Sequence, residues 1–117
     1  QERMTVPVWQ LDDFNIKDVS FIKIDVEGHE SEVLEGARQT ILRERPIILI
    51  EVEQKHIAKP IEVVFDQIIK LGYTGYFLQN RKLCPLSDFS YKVHQETFLQ
   101  DVMNRNYIND FIFKPCL

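Results

Sequence analysis

The stretch Phe21 to Glu32, FIKIDVEGHESE, sets two carboxylates, Asp25 and Glu27, two residues apart at the end of a short apolar run. A carboxylate can take a proton from a hydroxyl, and a pair can share a hydroxyl, hold a divalent ion or raise one another's pKa. Asp25 is the first candidate for such a base and Glu27 the second. The plainer role for Glu27 is to orient the turn at Gly28 through backbone N–H groups. Glu51 closes a second apolar run, IILIE, and is a third candidate, its plainer role being a rim carboxylate in water. Glu30 is expected to favour a helix start through the dipole. His29 follows the turn and is of a residue type that can act as a base. His56 could line a pocket beyond the second run, and His94 lies in a stretch without clear pattern. The three histidines lack zinc-ligand spacing. Asp25 with Glu51 would suit magnesium, a hard ion that prefers carboxylates and water.

These side chains need elements to hold them. Phe21 to Glu27 is expected to be a buried strand, because a short apolar run ends in a turn signal at Gly28. Asp25 and Glu27 would then share a face, as residues two apart on a strand do. Val33, Ala37 and Ile41 recur at helical spacing, so one helix is expected from about Ser31 to Glu44, stopped by Pro46. Gly36 inside it costs roughly 1 kcal/mol against Ala, a cost that close packing on a sheet would justify. Ile47 to Val52 reads as a central parallel strand covered on both faces. Pro60 opens a helix whose apolar residues are Ile61, Val64, Phe65, Ile68 and Ile69, and Gly72 closes it. Tyr73 to Leu78 is a third strand, and Gln79-Asn80-Arg81 turns it into a hairpin with Lys82 to Leu86. Asp110 to Phe113 is the last strand. Thr5 to Trp9 is extended, and Leu11 to Ile16 holds one helical turn. Trp9, Tyr73, Tyr76 and Phe77 are expected in the core. In open α/β sheets ligands bind at the carboxyl ends of the strands, which is where Asp25, Glu27 and Glu51 stand.

Three blocks in order, Val6-Pro7-Val8 with Leu11-Asp12-Asp13, then Ile24-Asp25-Val26-Glu27-Gly28 with Glu30, Val33-Leu34 and Gly36-Ala37, then Arg45 to Val52, resemble the FkbM family of S-adenosylmethionine-dependent methyltransferases. The resemblance implies the C-terminal half of a class I, Rossmann-like α/β fold. Its sheet would be mostly parallel with a last antiparallel strand, and its strands would lie in the order 4-5-7-6. It implies S-adenosylmethionine as cofactor and a hydroxyl on a sugar, glycan or small molecule as acceptor. The chain holds four glycines and no G-x-G-x-x-G turn, so no cofactor-binding residue is assigned. The family's main cofactor contacts would lie on strands before residue 1, and residues 1–117 would form one partial domain. The first residue is not Met, which fits a piece of a longer protein, inactive by itself.

Composition narrows the alternatives. A length of 117 residues suits one domain, and a net charge of −4 argues against a nucleic-acid binder. No apolar run reaches membrane-span length. Cys84 and Cys116 read as reduced thiols of a cytoplasmic protein, without metal spacing. A second function class stays open: a degenerate methyltransferase-like domain that only binds a partner, or associates with itself, through the exposed edge of the first strand.

Overall fold

The computed structural model describes residues 2–117. Five strands form one sheet: β1 (Phe21–Ile24), β2 (Ile47–Glu51), β3 (Tyr73–Gln79), β4 (Lys82–Pro85) and β5 (Asp110–Pro115), in the order β1-β2-β5-β3-β4. The first four positions reproduce the order 4-5-7-6, with β4 added as a hairpin strand. The sheet is mixed and not mostly parallel. Among the described residues only β1 and β2 pair in parallel; β5 runs antiparallel to both β2 and β3, and β3 to β4. Inserting one reversed strand in the middle of the sheet replaces a parallel pair with two antiparallel ones.

The helices α1 (Glu30–Gly36), α2 (Arg38–Glu44) and α3 (Ile61–Ile69) cover one face. Ile24, Ile48, Ile50, Tyr73, Phe77, Phe111 and Phe113 are buried there against Leu34, Ile41, Val64, Phe65 and Ile68. The alternate residues face outward. Phe21 is 54 % exposed, Ile47 40 % and Leu78 55 %, so the expected cover on both faces of β2 is absent among the described residues. A fourth helix, α4 (Tyr91–His94), stands in the stretch that sequence left unassigned. His94 is buried there, stacked on Phe89, and its Nδ1 accepts the Ser90 N–H at 2.9 Å, so it is a packed structural histidine. Trp9 lies exposed on an irregular segment and not in the core; Cys84 and Cys116 are unbridged.

The single helix expected over 31–44 is two helices, broken at Ala37. The cause lies in the Leu11-Asp12-Asp13 block, which forms a 3₁₀ turn, Leu11–Phe14. Asp12 Oδ2 accepts the Gln39 N–H at 3.0 Å, and Oδ1 accepts the Thr40 N–H and hydroxyl, each at 2.8 Å. In one continuous helix those two N–H groups would bond to the carbonyls of Glu35 and Gly36. The distant carboxylate takes them instead and caps a new helix, as a helix N-terminus requires. Gly36 fits this arrangement: a Cβ there would lie 3.2 Å from the Gln10 side chain, so the close approach is to the N-terminal segment and not to the sheet.

Desolvation pushes the Asp12 carboxyl up, but the bonds from Gln39 and Thr40 outweigh it and hold its pKa below the ordinary value. A lowered pKa in the folded state stabilises the fold above the unfolded pKa, and that stability is lost as pH falls through the folded value. Asp12→Ala should therefore cost about 1–2 kcal/mol at neutral pH, the range for a lost cap. Urea unfolding at pH 7 and again near pH 3 should show the difference shrinking in acid; an equal difference at both would contradict the cap.

Candidate functional site

The carboxyl ends of β1 and β2 carry the acidic residues singled out by sequence. β1 ends at Ile24, one residue before Asp25, and Asp25 and Glu27 are both exposed, not buried in a strand. Glu27 has a left-handed backbone, φ 45°, followed by Gly28 at φ 103°. The strand alternation therefore does not carry through to Glu27, and the shared face expected for the pair fails. A non-glycine residue in that region is held against its preference, a condition that collects at functional turns. Gly28 is required here for space as well: a Cβ would meet the His56 carbonyl oxygen at 2.6 Å. The turn after β1 is thus pressed against the loop after β2.

Glu30 is 1 % exposed. Its Oε2 accepts the Gly28 N–H at 2.7 Å while Oε1 has no partner. It ties the turn to the start of α1, a more specific task than a dipole charge.

Asp25 does keep company with Glu51, and with a residue sequence reasoning missed. In the β2–β5 ladder Glu51 stands opposite Asp110, both on the face away from the helices. Ile24 stands opposite Ile50, so Asp25 adjoins Glu51 one step further along. Three carboxylates cross the end of the sheet in a row. Burial pushes the Glu51 carboxyl above its ordinary value, and the negative charges of Asp25, Asp110 and Glu53 add to the push. Asp110 is raised by desolvation too; Lys23 draws it down, and Asp25 and Glu53 raise it. Asp110 is exposed at the first position of β5.

Glu53 is the fourth member and behaves oppositely. Desolvation raises it, but the Tyr107 hydroxyl, which donates to Oε2, and the charges of Lys55 and His56 pull it below the ordinary range. Tyr107 itself is pushed strongly upward by burial and by Glu53. Glu53 Oε1 lies 3.5 Å from His56 Nε2, and Oε2 3.5 Å from Lys55 Nζ. The loop bearing His56 is locked by glutamines. Gln54 Nε2 donates to the carbonyls of Ile57 (3.3 Å) and Lys59 (2.7 Å), and Gln54 Oε1 accepts the Ile61 N–H at the start of α3. The buried Gln95 joins this loop to the β5 entry. Its Oε1 accepts the Gln54 N–H, and its Nε2 donates to Val52 and Ile108 carbonyls.

Between the β1 turn and the β2 loop lies a cleft of about 270 Å³, lined in part by His29, Ser31, Glu32, His56, Lys59 and Val64. Sequence placed His56 at a pocket, and His29 lines the same one. Glu53, Tyr107, Asp110 and Gln95 were not found. The spacing Glu53-x-x-His56 was the one signal in sequence; Tyr107 is 54 residues from its partner and had none. Among the described residues no group of three or more His, Cys, Asp or Glu side chains stands so as to hold a metal ion. No glycine offers a cofactor cradle either. The space a Cβ would take is filled by His56 at Gly28, by Gln10 at Gly36, by Arg45 at Gly72, and by Phe113 and Leu86 at Gly75. Among the described residues no helix is long and apolar enough to cross a membrane.

The cross-strand carboxylates carry a stability consequence. A carboxyl whose pKa is raised in the folded state weakens the fold at neutral pH, and the penalty fades as pH falls through that raised value. Asp110→Asn should stabilise the protein at pH 7 by up to about 1 kcal/mol, the scale of a like-charge pair across strands. The gain should shrink as the pH falls through that raised value. Thermal unfolding across that range checks it, and a destabilised variant at pH 7 would contradict the repulsion.

Residues 1–78 match the family model described as Methyltransferase FkbM domain. No curated protein matches the chain, and no solved structure matches it.

Proposed function

The chain belongs to the FkbM methyltransferase family, and from that premise we propose that it forms the acceptor side of an S-adenosylmethionine-dependent O-methyltransferase acting on a hydroxyl of a sugar or small molecule. The observation that carries the reading is the row Asp25–Glu51–Asp110 at the carboxyl end of the sheet. Open α/β sheets bind ligands at that end. Methyl transfer to oxygen is an in-line displacement, and the protein's part in it is positioning. In this reading Asp25 accepts the hydrogen bond of the acceptor hydroxyl, Glu51 stands behind it, and Glu27 shapes the turn.

The methyl donor is assigned to strands that would add to the edge of β1. The glycines here are packed out, while β1 keeps an unpaired edge and the sheet an uncovered face. Unpaired edges recruit further strands, and residues 1–117 are accordingly read as one partial domain of a larger enzyme. Where that cover is missing, self-association through the same edge replaces it, and this also keeps a partner-binding role in view. Reduced Cys84 and Cys116 fit a cytoplasmic setting.

The test is transfer of a labelled methyl group from S-adenosylmethionine to a panel of sugars and small alcohols by the full-length protein. Asp25→Asn keeps the size of the side chain and removes its charge. Turnover should fall about 10- to 100-fold, the worth of a hydrogen bond to a charged group. Cofactor affinity should change less than about tenfold. An unchanged turnover would remove Asp25 from the site.

A further inference from the structure

Asp25 holds one hydroxyl of the acceptor, and the body of the acceptor needs a seat of its own. We infer that an uncharged sugar ring occupies the cavity on the open sheet face beside Asp110, with Arg105 and Asn109 as its hydrogen-bonding partners; the inference rests on the methyl-transfer reading above.

The strand register puts this cavity at the site. Leu49 on β2 stands opposite Ile112 on β5, and both lie on the face away from the helices, as does Leu78 on β3. These three floor a hollow of about 280 Å³. Arg105, Asn109 and Asp110 stand around it. Asp110 is the last member of the acid row, so the hollow adjoins the row directly. Asp25 lies outside the hollow, two strands away. Neighbouring strands are about 4.8 Å apart, which puts roughly 10 Å between the two positions along the row. One ring with hydroxyls on both sides spans that gap. The hydroxyl given to Asp25 is therefore not one of those bound in the hollow.

The chemistry of the lining selects the ligand. A bare piece of uncovered sheet would be apolar throughout. Here an apolar floor meets three polar side chains of different kinds, the composition of a small-molecule site. Ionised Asp110 only accepts, Arg105 only donates, and the Asn109 amide does both. Together they suit neighbouring hydroxyls, each of which gives one hydrogen and takes another. Among the described residues neither Arg105 nor Asp110 is in an ion pair. The Tyr107 hydroxyl is spent on Glu53, and its ring walls the hollow. Leu49 and Ile112 offer a surface to the C–H face of a ring. The volume lies at the low end for small-molecule sites, which fits one ring and not a chain of them.

Charge decides against an anionic sugar. The carboxylates of Asp25, Glu51, Glu53 and Asp110 act on one another across this end of the sheet. Lys23 and Arg105 are set against them, while Lys55 is held by Glu53. A uronic acid or a sugar phosphate would bring a further negative charge to the row, and like charges juxtaposed at a binding surface are selected against.

Two measurements on the full-length protein decide it. Titration with a methyl hexoside should shift the methyl signals of Leu49 and Ile112 and the side-chain amide signal of Asn109. In the labelled-methyl assay the hexoside should exceed both a short-chain alcohol and the matching uronic acid by about 10-fold or more in kcat/KM, because a site built to bond hydroxyls rejects acceptors that lack them. Arg105→Ala should raise KM for the hexoside about 10-fold and Asn109→Ala about 3-fold, the worth of a charged and of a neutral hydrogen bond, each more than it lowers kcat. Transfer to the hexoside with those signals unmoved and both variants normal, or a preference for the uronic acid, overturns the sugar seat and leaves the methyl-transfer reading standing. A hexoside seated at Leu49 and Ile112 without any transfer overturns the methyl-transfer reading and keeps the seat. Neither shift nor transfer overturns both.

Discussion

The buried side-chain amide of Gln95 holds together the two strand ends on which the site is built. One hydrogen bond reaches the carbonyl of Val52, just past β2, another the carbonyl of Ile108, just before β5, and a third comes from the Gln54 N–H. A buried amide that finds all these partners is a strong constraint; left half satisfied it would cost more than an apolar residue. Here it fixes the point where β2 opens into the loop of Glu53, Gln54 and His56, opposite the entry that delivers Tyr107 and Asp110. Every group in the carboxylate row and the Tyr107–Glu53–His56 chain takes its place from that junction, apart from those on the β1 turn.

The turn is set by a second junction of the same kind. Gly28 lies against the His56 carbonyl, and Glu30 reaches back to the Gly28 N–H. Asp12, far away in sequence, caps α2 and thereby ends α1 after two turns. The recurring energetic theme is polar: side chains of Asp12, Glu30, Gln54 and Gln95 satisfy backbone groups that the sheet and helices leave open. The apolar core under the sheet supplies the burial, and these bonds choose the shape of the site end.

The elements with a strong local period were legible in the sequence. α3 follows from Ile61, Val64, Phe65 and Ile68, and β5 from the DFIF run. The strand order came from the resemblance carried by the IDVEG turn and its flanking blocks. What failed failed for non-local reasons. The break at Ala37 is made by Asp12, 27 and 28 residues from the N–H groups it takes. The open face of β2 is invisible in an apolar run, which reads the same whether one face is covered or two. The pairing of Glu51 with Asp110 depends on the register of a strand nearly sixty residues later, and no periodicity announces a partner at that distance. The left-handed backbone at Glu27 was masked by the glycine beside it.

The central claim is that Asp25 holds the acceptor hydroxyl at the carboxyl end of the sheet. The most direct measurement is a crystal structure of the full-length protein with the demethylated cofactor and a hydroxyl acceptor identified by the labelled-methyl assay. The account predicts the acceptor oxygen within about 2.6–3.2 Å of an Asp25 carboxylate oxygen. An acceptor bound elsewhere, with Asp25 facing water, would contradict it.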